Sequence, residues 1–114
     1  MRFGEVLKTK ANEGKEKHVP VIEIQRCAEC GEDVVVIIVG KETPHPNTTE
    51  HHIKWIQLYG LKKDNQLLHL GTFGLGPVYT APEVTAHLKT AELKTIFALA
   101  YCNIHGVWEN SLEI

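Results

Sequence analysis

The sequence predicts an all-β fold, an immunoglobulin-like antiparallel β-sandwich of about seven strands. Short runs rich in β-branched residues recur at intervals of about 8–12 residues, with turn signals between them. The 114-residue chain is long enough for a single hydrophobic core, so we expect one domain over residues 1–114. A short irregular or helical segment, over residues 3–11, is expected before the first strand.

The predicted strands cover residues 19–25, 33–40, 51–61, 66–73, 83–89, 92–102 and 107–114. In the first strand, Pro20 stands near the start, where its missing N–H does least harm. The second is dominated by valine and isoleucine, whose branched side chains favour a buried strand. A loop with two prolines leads to the third, in which Ile53 and Trp55 are expected on one face and Ile56 on the other.

The second half of the chain follows the same pattern. A turn at residues 62–65 leads into the fourth strand, which glycines and Pro77 separate from the fifth. The fifth strand alternates cleanly, so every second residue from Val84 to Leu88 is expected on one face. Residues 90–91 are expected to turn a hairpin into the strongly apolar sixth strand, and the seventh strand runs to the end of the chain.

The composition limits the possible classes of function. A formal net charge of -2 disfavours a general nucleic-acid-binding protein. The longest aliphatic run, at residues 34–39, is far too short for a membrane span, and the first residues lack the apolar core of a signal peptide. We therefore expect a cytoplasmic protein with reduced thiols that binds neither nucleic acid nor membranes.

Seven histidines and three cysteines are the unusual feature of the composition. Cys102 and His105 form a C-x-x-H motif after the sixth strand, where a turn can aim a thiolate and an imidazole at one point. His45 and His51 are six residues apart across the proline-bearing loop, and His18 precedes the first strand. Four imidazoles and one thiolate suit iron, because iron binds both ligand types and five ligands leave a sixth position open.

A second interpretation uses the cysteines as zinc ligands. Cys27-x-x-Cys30 together with Cys102-x-x-His105 has the composition of a Cys3His site, which predicts a structural zinc-binding β-sandwich that acts as an interaction domain. This interpretation requires the two turns to meet in space, and it leaves the other histidines without a role. The simplest alternative for Cys27 and Cys30 is a pair of thiols in a surface turn, able to form a local disulfide.

Three segments carry a resemblance to a known family. EKHVP at residues 16–20, HPNTTEHHIKW at residues 45–55 and CNIHGVWE at residues 102–109 resemble the superoxide reductases, the neelaredoxin and desulfoferrodoxin family. The segments occur in the family's order and span nearly the whole chain. Because no four-cysteine module precedes them, the sequence resembles the one-iron, neelaredoxin class.

The resemblance implies an enzyme that reduces superoxide to hydrogen peroxide by one electron. The reaction would take place at a mononuclear non-haem iron that cycles between Fe2+ and Fe3+. The resemblance implies four equatorial nitrogen ligands and an axial thiolate, supplied by His18, His45, His51, His105 and Cys102. It also implies a rubredoxin-like electron donor and a homo-oligomer, with a tetramer favoured.

The resemblance also assigns roles to residues beside these ligands. Glu16 corresponds to a carboxylate that can occupy the sixth position in the ferric state, and Lys17 to a lysine near the open site. His52 is excluded because, on a strand, it would point away from the neighbouring ligand. His69 and His87 fall outside every matching segment and are interpreted as surface residues.

The N-terminal segment is cationic, in contrast to the chain as a whole. Residues 1–18 hold five basic and three acidic side chains, a net charge of +2. A positive patch beside the site would raise the rate of encounter with a small anion. Within this segment Lys17 is interpreted as functional, whereas Lys8 and Lys10 are interpreted as ordinary solvated side chains.

Overall fold

The computed structural model describes all 114 residues and confirms the predicted sandwich. Seven strands form two antiparallel sheets, and they are β1 (Val21–Gln25), β2 (Asp33–Ile38), β3 (Ile53–Lys62), β4 (Leu67–Gly74), β5 (Glu83–Leu88), β6 (Leu93–Cys102) and β7 (Gly106–Glu113). One sheet has the order β1-β2-β5 and the other the order β4-β3-β6-β7.

The hydrophobic core lies between the two sheets and is a single cluster of 13 buried residues. Val35 and Ile37 of β2 contribute from the smaller sheet, where every second residue of the strand is buried. Ile56 and Leu58 of β3 and Ile96 of β6 contribute from the larger sheet and are fully buried. This interlayer packing fixes both ends of β6, and so fixes where the loops at each end of the sandwich lie.

The N-terminal segment is not one helix but two single 3-10 turns, Phe3–Glu5 and Lys10–Asn12. Between them the chain pairs in parallel with the start of β7 through a single bridge between Lys8 and Trp108. The backbone N–H of Lys8 donates to the Val107 carbonyl at 3.0 Å, which competes with continuous helix formation. No helix in the structure has the length and the apolar character that crossing a membrane requires.

The structure corrects the predicted hairpin between the fifth and sixth strands. β5 pairs with β2, with Val84 opposite Ile37, whereas β6 pairs with β3 and β7. The turn after β5 therefore crosses from one sheet to the other. Val84 joins the core from the smaller sheet, and Leu93, at the start of β6 in the larger sheet, is also buried.

The predicted faces of the third strand also need correction. The register between β3 and β6 shifts between Ile53 and Trp55, so both Ile53 and Ile56 point into the core. A β-bulge of this kind changes the alternation that a regular strand would show. β3 also begins at Ile53, two residues later than predicted, so His51 and His52 lie in the preceding loop.

Candidate metal centre

The four histidines that the sequence singled out meet at one end of the sandwich. Their ring centroids form a closed circuit from His18 to His45, His51 and His105 and back to His18, with successive separations of 4.8, 4.9, 5.1 and 4.8 Å. Neighbouring rings are inclined by 61–83°. Candidate ligand atoms of His18, His51, His105 and Cys102 lie within 4.8 Å of one another.

Glu16 covers this circuit from the solvent side. Its Oε1 atom lies 3.4 Å from His18 Nε2, 3.5 Å from His45 Nε2, 3.0 Å from His51 Nε2 and 3.7 Å from His105 Nδ1. The Glu16 side chain is 39% exposed, whereas Cys102 is fully buried. The thiol therefore lies on the inner side of the site and the carboxylate on the outer side.

In the loop after β2, the backbone of Gly40 packs closely against the backbone of His45 and so positions that residue. Gly40 has φ of +80°, and a Cβ atom there would lie 2.5 Å from the backbone nitrogen of His45. Glycine is therefore required by both the backbone conformation and the space. The Nδ1 atom of His45 lies 2.7 Å from the Pro46 carbonyl oxygen. Because a carbonyl can only accept, Nδ1 carries the proton and Nε2 keeps its lone pair for the site.

The loop that carries His51 is tied to the turn that carries Cys102 and His105. Asn103 lies inside that turn. Its side-chain oxygen accepts the backbone N–H of His52 at 2.9 Å, and its side-chain NH2 group donates to the Glu50 carbonyl at 3.0 Å. Within the turn, the N–H of His105 donates to Cys102 Sγ at 3.4 Å. Such a donor stabilises negative charge on the sulfur, and the turn aims both side chains at the same point.

His18 is fixed by contacts to its backbone and to its ring. The Oε2 atom of Glu13 accepts the backbone N–H groups of His18 at 2.8 Å and Val19 at 3.0 Å. The His18 ring stacks on Trp108, with centroids 4.5 Å apart and planes inclined by 12°. These contacts hold the imidazole in place without using its Nε2 atom.

Lys8 is bound to the site and is not a freely solvated side chain, which corrects the interpretation from the sequence. Its Nζ donates to the His105 carbonyl at 2.7 Å and lies 5.4 Å from the centroid of the Trp108 ring. The Trp108 indole N–H donates to the same His105 carbonyl at 3.2 Å. Lys8 and Trp108 together therefore brace the turn that carries His105.

The electrostatics of the site keep the buried imidazoles neutral. The pKa of His18 is lowered to about 4, chiefly by burial and then by the neighbouring His45 and His105 rings. Burial is also the main cause of the lowered pKa of His45. At neutral pH both rings therefore present lone pairs. Four buried polar atoms make no hydrogen bond, namely Glu16 Oε1, His18 Nδ1, His45 Nε2 and His51 Nε2.

These observations fit a single metal ion. His18 Nε2 and His105 Nδ1 are 3.1 Å apart. Two nitrogens bound at right angles to one metal, each at the usual 2.0–2.1 Å, would be about 3 Å apart. A cation at the centre would also satisfy the convergent lone pairs of His45 and His51, which otherwise lack partners inside the protein. The donor set therefore suits a transition metal.

Lys17, which the sequence analysis places near the site, lies outside the cluster, as do the three histidines that it excludes. Lys17 donates to the Gly14 carbonyl at 3.2 Å and does not contact the histidines. The Nδ1 atom of His52 lies 3.0 Å from the Thr48 carbonyl oxygen, so this ring makes its contact outside the cluster. His52 lies in a loop, however, and not on a strand as the sequence argument for excluding it assumed. His69 and His87 are exposed, as expected.

The other two cysteines lie at the opposite end of the sandwich. Cys27 and Cys30 form a disulfide in the turn between β1 and β2. That turn is joined to Thr90, just before β6, through the Asp33 carboxylate. Cys102 ends β6, and a ten-residue strand spans about 30 Å. The two turns do not meet, so the Cys3His arrangement required by the zinc interpretation does not form.

Sequence reasoning missed four residues that shape the site, namely Lys8, Glu13, Gly40 and Trp108. The glycine after the apolar run of β2 was the one visible signal, because an isolated glycine beside a strand often marks a close backbone approach. Lys8 acts through a contact with His105, which is distant in the sequence, so local patterns give no indication of it. Glu13 acts on His18 and Val19 across a short irregular loop, where neither strand nor helix periodicity marks it.

Comparisons with known proteins agree with this arrangement. The sequence model of the family described as Desulfoferrodoxin matches residues 10–111. A putative superoxide reductase of Thermotoga maritima is 43% identical, over 100% of this chain and 97% of that protein. A superoxide reductase of Pyrococcus furiosus is 46% identical, over 87% of this chain and 89% of that protein. A crystal structure of a superoxide reductase in the oxidised state superposes with a TM-score of 0.88 and 42% identity, over 99% of each chain.

Proposed function

Because this chain belongs to the desulfoferrodoxin family, we propose that it reduces superoxide to hydrogen peroxide by one electron. Each turnover takes one superoxide, one electron and two protons and releases one hydrogen peroxide, without forming oxygen. The observation that carries the proposal is the convergence of four imidazoles on one point, with a buried thiol on one side and a carboxylate on the other.

The metal that we propose is a single iron ion. Its ligands would be the four histidines of the circuit with Cys102, and Glu16 would be a sixth ligand in the ferric state. Bound iron supplies the single electron by cycling between Fe2+ and Fe3+, a change that zinc cannot make. The mixture of imidazole, thiolate and carboxylate donors supports iron over a hard cation such as Mg2+.

The inner side of the site holds the Cys102 sulfur away from water. Cys102 is fully buried at the end of β6, and its sulfur accepts the N–H of His105. Exclusion of water protects the sulfur from oxidation, and the N–H donor stabilises its negative charge. We infer that Cys102 tunes the electron-donating strength of the site from a position that the substrate does not reach.

The outer side of the site admits the substrate. Glu16 lies above the four nitrogens, so its carboxylate must leave for superoxide to bind in the same place. Residues 14–17 form a short loop that is closed at both ends, because the Glu13 carboxylate accepts the backbone N–H groups of His18 and Val19. Movement of this short segment would displace Glu16 without disturbing His18. The protons come from water at this exposed face.

The lysines around the opening favour an anionic substrate. Lys8 and Lys15 line the depression beside His18 and His105. Lys17 is adjacent to Glu16, so a movement that displaces the carboxylate also moves this ammonium group. We propose that Lys17 guides superoxide to the site, because a local positive charge speeds encounter with a small anion.

The remaining partners follow from the family and from the exposed surfaces. The side chain of His105 is 39% exposed, which gives a rubredoxin-like electron carrier access to one edge of the site. We propose a cytoplasmic homo-oligomer, with a tetramer favoured. The fifth and sixth strands do not form the hairpin expected from the sequence, but β4 and β5 are free sheet edges that suit pairing between chains. Light scattering on the purified protein tests the assembly.

One experiment tests the proposed function. The protein is produced with iron and zinc both available, its metal content is measured, and its ferrous form is mixed with a pulse of superoxide. We expect about one iron per chain, with hydrogen peroxide formed and no oxygen released. Stoichiometric zinc without iron, or release of oxygen with the peroxide, would contradict the proposal.

A further inference from the structure

The disulfide at the far end of the sandwich is accessible from solvent. Cys27 and Cys30 are bonded across a turn, with Cα atoms 5.3 Å apart. Cys30 is exposed and Cys27 is partly exposed. Exposed disulfides are open to attack by an external thiolate, in contrast to those enclosed in a core. The remaining cysteine, Cys102, is buried at the other end of the molecule.

The disulfide is not needed to hold the strands that flank it. It closes a loop of only four residues, and the entropy that a cross-link removes from the unfolded chain grows with the length of the loop. The strands already meet at Gln25 and Val34. The Asp33 carboxylate accepts the backbone N–H of Cys27 at 2.9 Å and the Thr90 hydroxyl at 2.5 Å. None of these contacts involves sulfur, so the turn keeps its anchors when the disulfide opens.

We propose that Cys27 and Cys30 form a reversible dithiol–disulfide site that exchanges electrons with a protein dithiol. The partner's thiolate attacks the Sγ atom of Cys30, the more exposed residue of the pair, and the bond to Cys27 breaks. Cys27 leaves as a thiolate and takes a proton. The partner's second thiol then attacks the mixed disulfide, so the partner leaves with its own disulfide and Cys30 becomes a thiol. Two electrons and two protons pass in all.

This site is separate from the metal centre in position and in chemistry. The length of β6, about 30 Å, lies between the two ends, and a disulfide exchanges electrons in pairs whereas superoxide takes one. The rim of the turn carries the exposed carboxylates of Glu29 and Glu32, while Arg26 is engaged by Asp33. A partner with a positive surface around its reactive thiol would fit this rim.

Thiol labelling of the metal-loaded protein tests the proposal. The native protein is treated with thioredoxin, its reductase and NADPH, labelled with excess maleimide at neutral pH without denaturant and analysed by mass spectrometry. We expect no adduct before reduction and two adducts after it, on Cys27 and Cys30. Cys102 is the internal control and should be labelled only after denaturation. Oxidised glutathione should return the protein to the unlabelled state.

A trapping experiment identifies the attacked sulfur. A thioredoxin variant that lacks its second active-site cysteine should form a mixed disulfide with the native protein, and peptide mapping should place it at Cys30. The Cys27→Ser/Cys30→Ser variant has no disulfide to attack and should form none. Labelling that requires denaturation would overturn the proposal and make the disulfide a structural cross-link. A mixed disulfide at Cys27 would overturn the order of attack. Because the readout is the state of the thiols, it does not depend on superoxide reduction.

Discussion

The two ends of the sandwich use similar side chains in opposite ways. At one end, one carboxylate oxygen of Glu16 and three histidine ring nitrogens are buried and make no hydrogen bond. At the other end, the buried carboxylate of Asp33 accepts hydrogen bonds from Cys27, Thr90 and Arg26. The first end is incomplete without a ligand, whereas the second is complete within the protein. Unsatisfied polar atoms are therefore better evidence for the metal centre than the number of its histidines.

Substituting serine for the cysteines at each end gives the sharpest test of this comparison. Cys102→Ser should abolish the visible absorption of the oxidised iron protein, because a serine hydroxyl does not replace the thiolate-to-iron transition. The Cys27→Ser/Cys30→Ser variant should keep both its iron and its spectrum. Absorption spectra and metal analysis of the two variants decide this. An unchanged spectrum in Cys102→Ser would remove that residue from the site.

Glycines with positive φ offer a matched pair, one at each end. Gly40→Ala should destabilise the fold by about 1–3 kcal/mol and weaken metal binding, because the added Cβ meets the His45 backbone as well as an unfavourable φ. Gly31→Ala, in the disulfide turn, has φ of +72° but open space around it. It should cost only about 1 kcal/mol and leave metal binding unchanged. Urea unfolding and metal titration check both, and equal effects would contradict the steric argument.

Acid should weaken the two ends of the metal-free protein in different pH ranges. The pKa of His18 falls from 6.5 to about 4 on folding, so the unfolded chain binds a proton that the folded chain excludes. Stability should therefore decline as the pH falls from 6.5 to about 4.

The Thr90 and Cys27 hydrogen bonds hold the pKa of Asp33 below 3.8, so its contribution should be lost only as the pH falls below that value. Urea unfolding across this range measures both effects. His18→Gln should flatten the upper part of the profile and Asp33→Asn the lower part. An unchanged upper slope in His18→Gln would show that other groups titrate there.

The smallest effect is expected from the lysine that braces the site. Lys8→Met removes the contact with the His105 carbonyl while keeping most of the aliphatic stem, and should lower metal affinity by about tenfold, the low end for a residue that supports a ligand. Lys10→Met is the matched control, because Lys10 is exposed in the same segment and lies outside the opening. Competition with a chelator measures both affinities. Equal values would mean that Lys8 does not support His105.

The sequence was sufficient for the strands and for the composition of the site, but not for its supports. The proximity of Cys102 and His105 follows from the local sequence, because a strand that ends in a turn brings residues i and i+3 together. His18, His45 and His51 converge only through the pairing of distant strands, so the sequence indicates them by residue type and by resemblance and not by local geometry. The crossing after β5 and the docking of Lys8 against Trp108 depend on how the layers pack, which local propensity does not encode. The bulge near Ile53 was hidden for the same reason.

The stacking of Trp108 on His18 has a practical consequence for spectroscopy. The Trp108 indole lies 4.5 Å from the His18 ring, close enough for an iron ion bound at the proposed site to quench its emission. The chain has only one other tryptophan, Trp55, which stacks on Tyr101. In a Trp55→Phe background, the fluorescence of Trp108 would therefore report directly how much metal is bound.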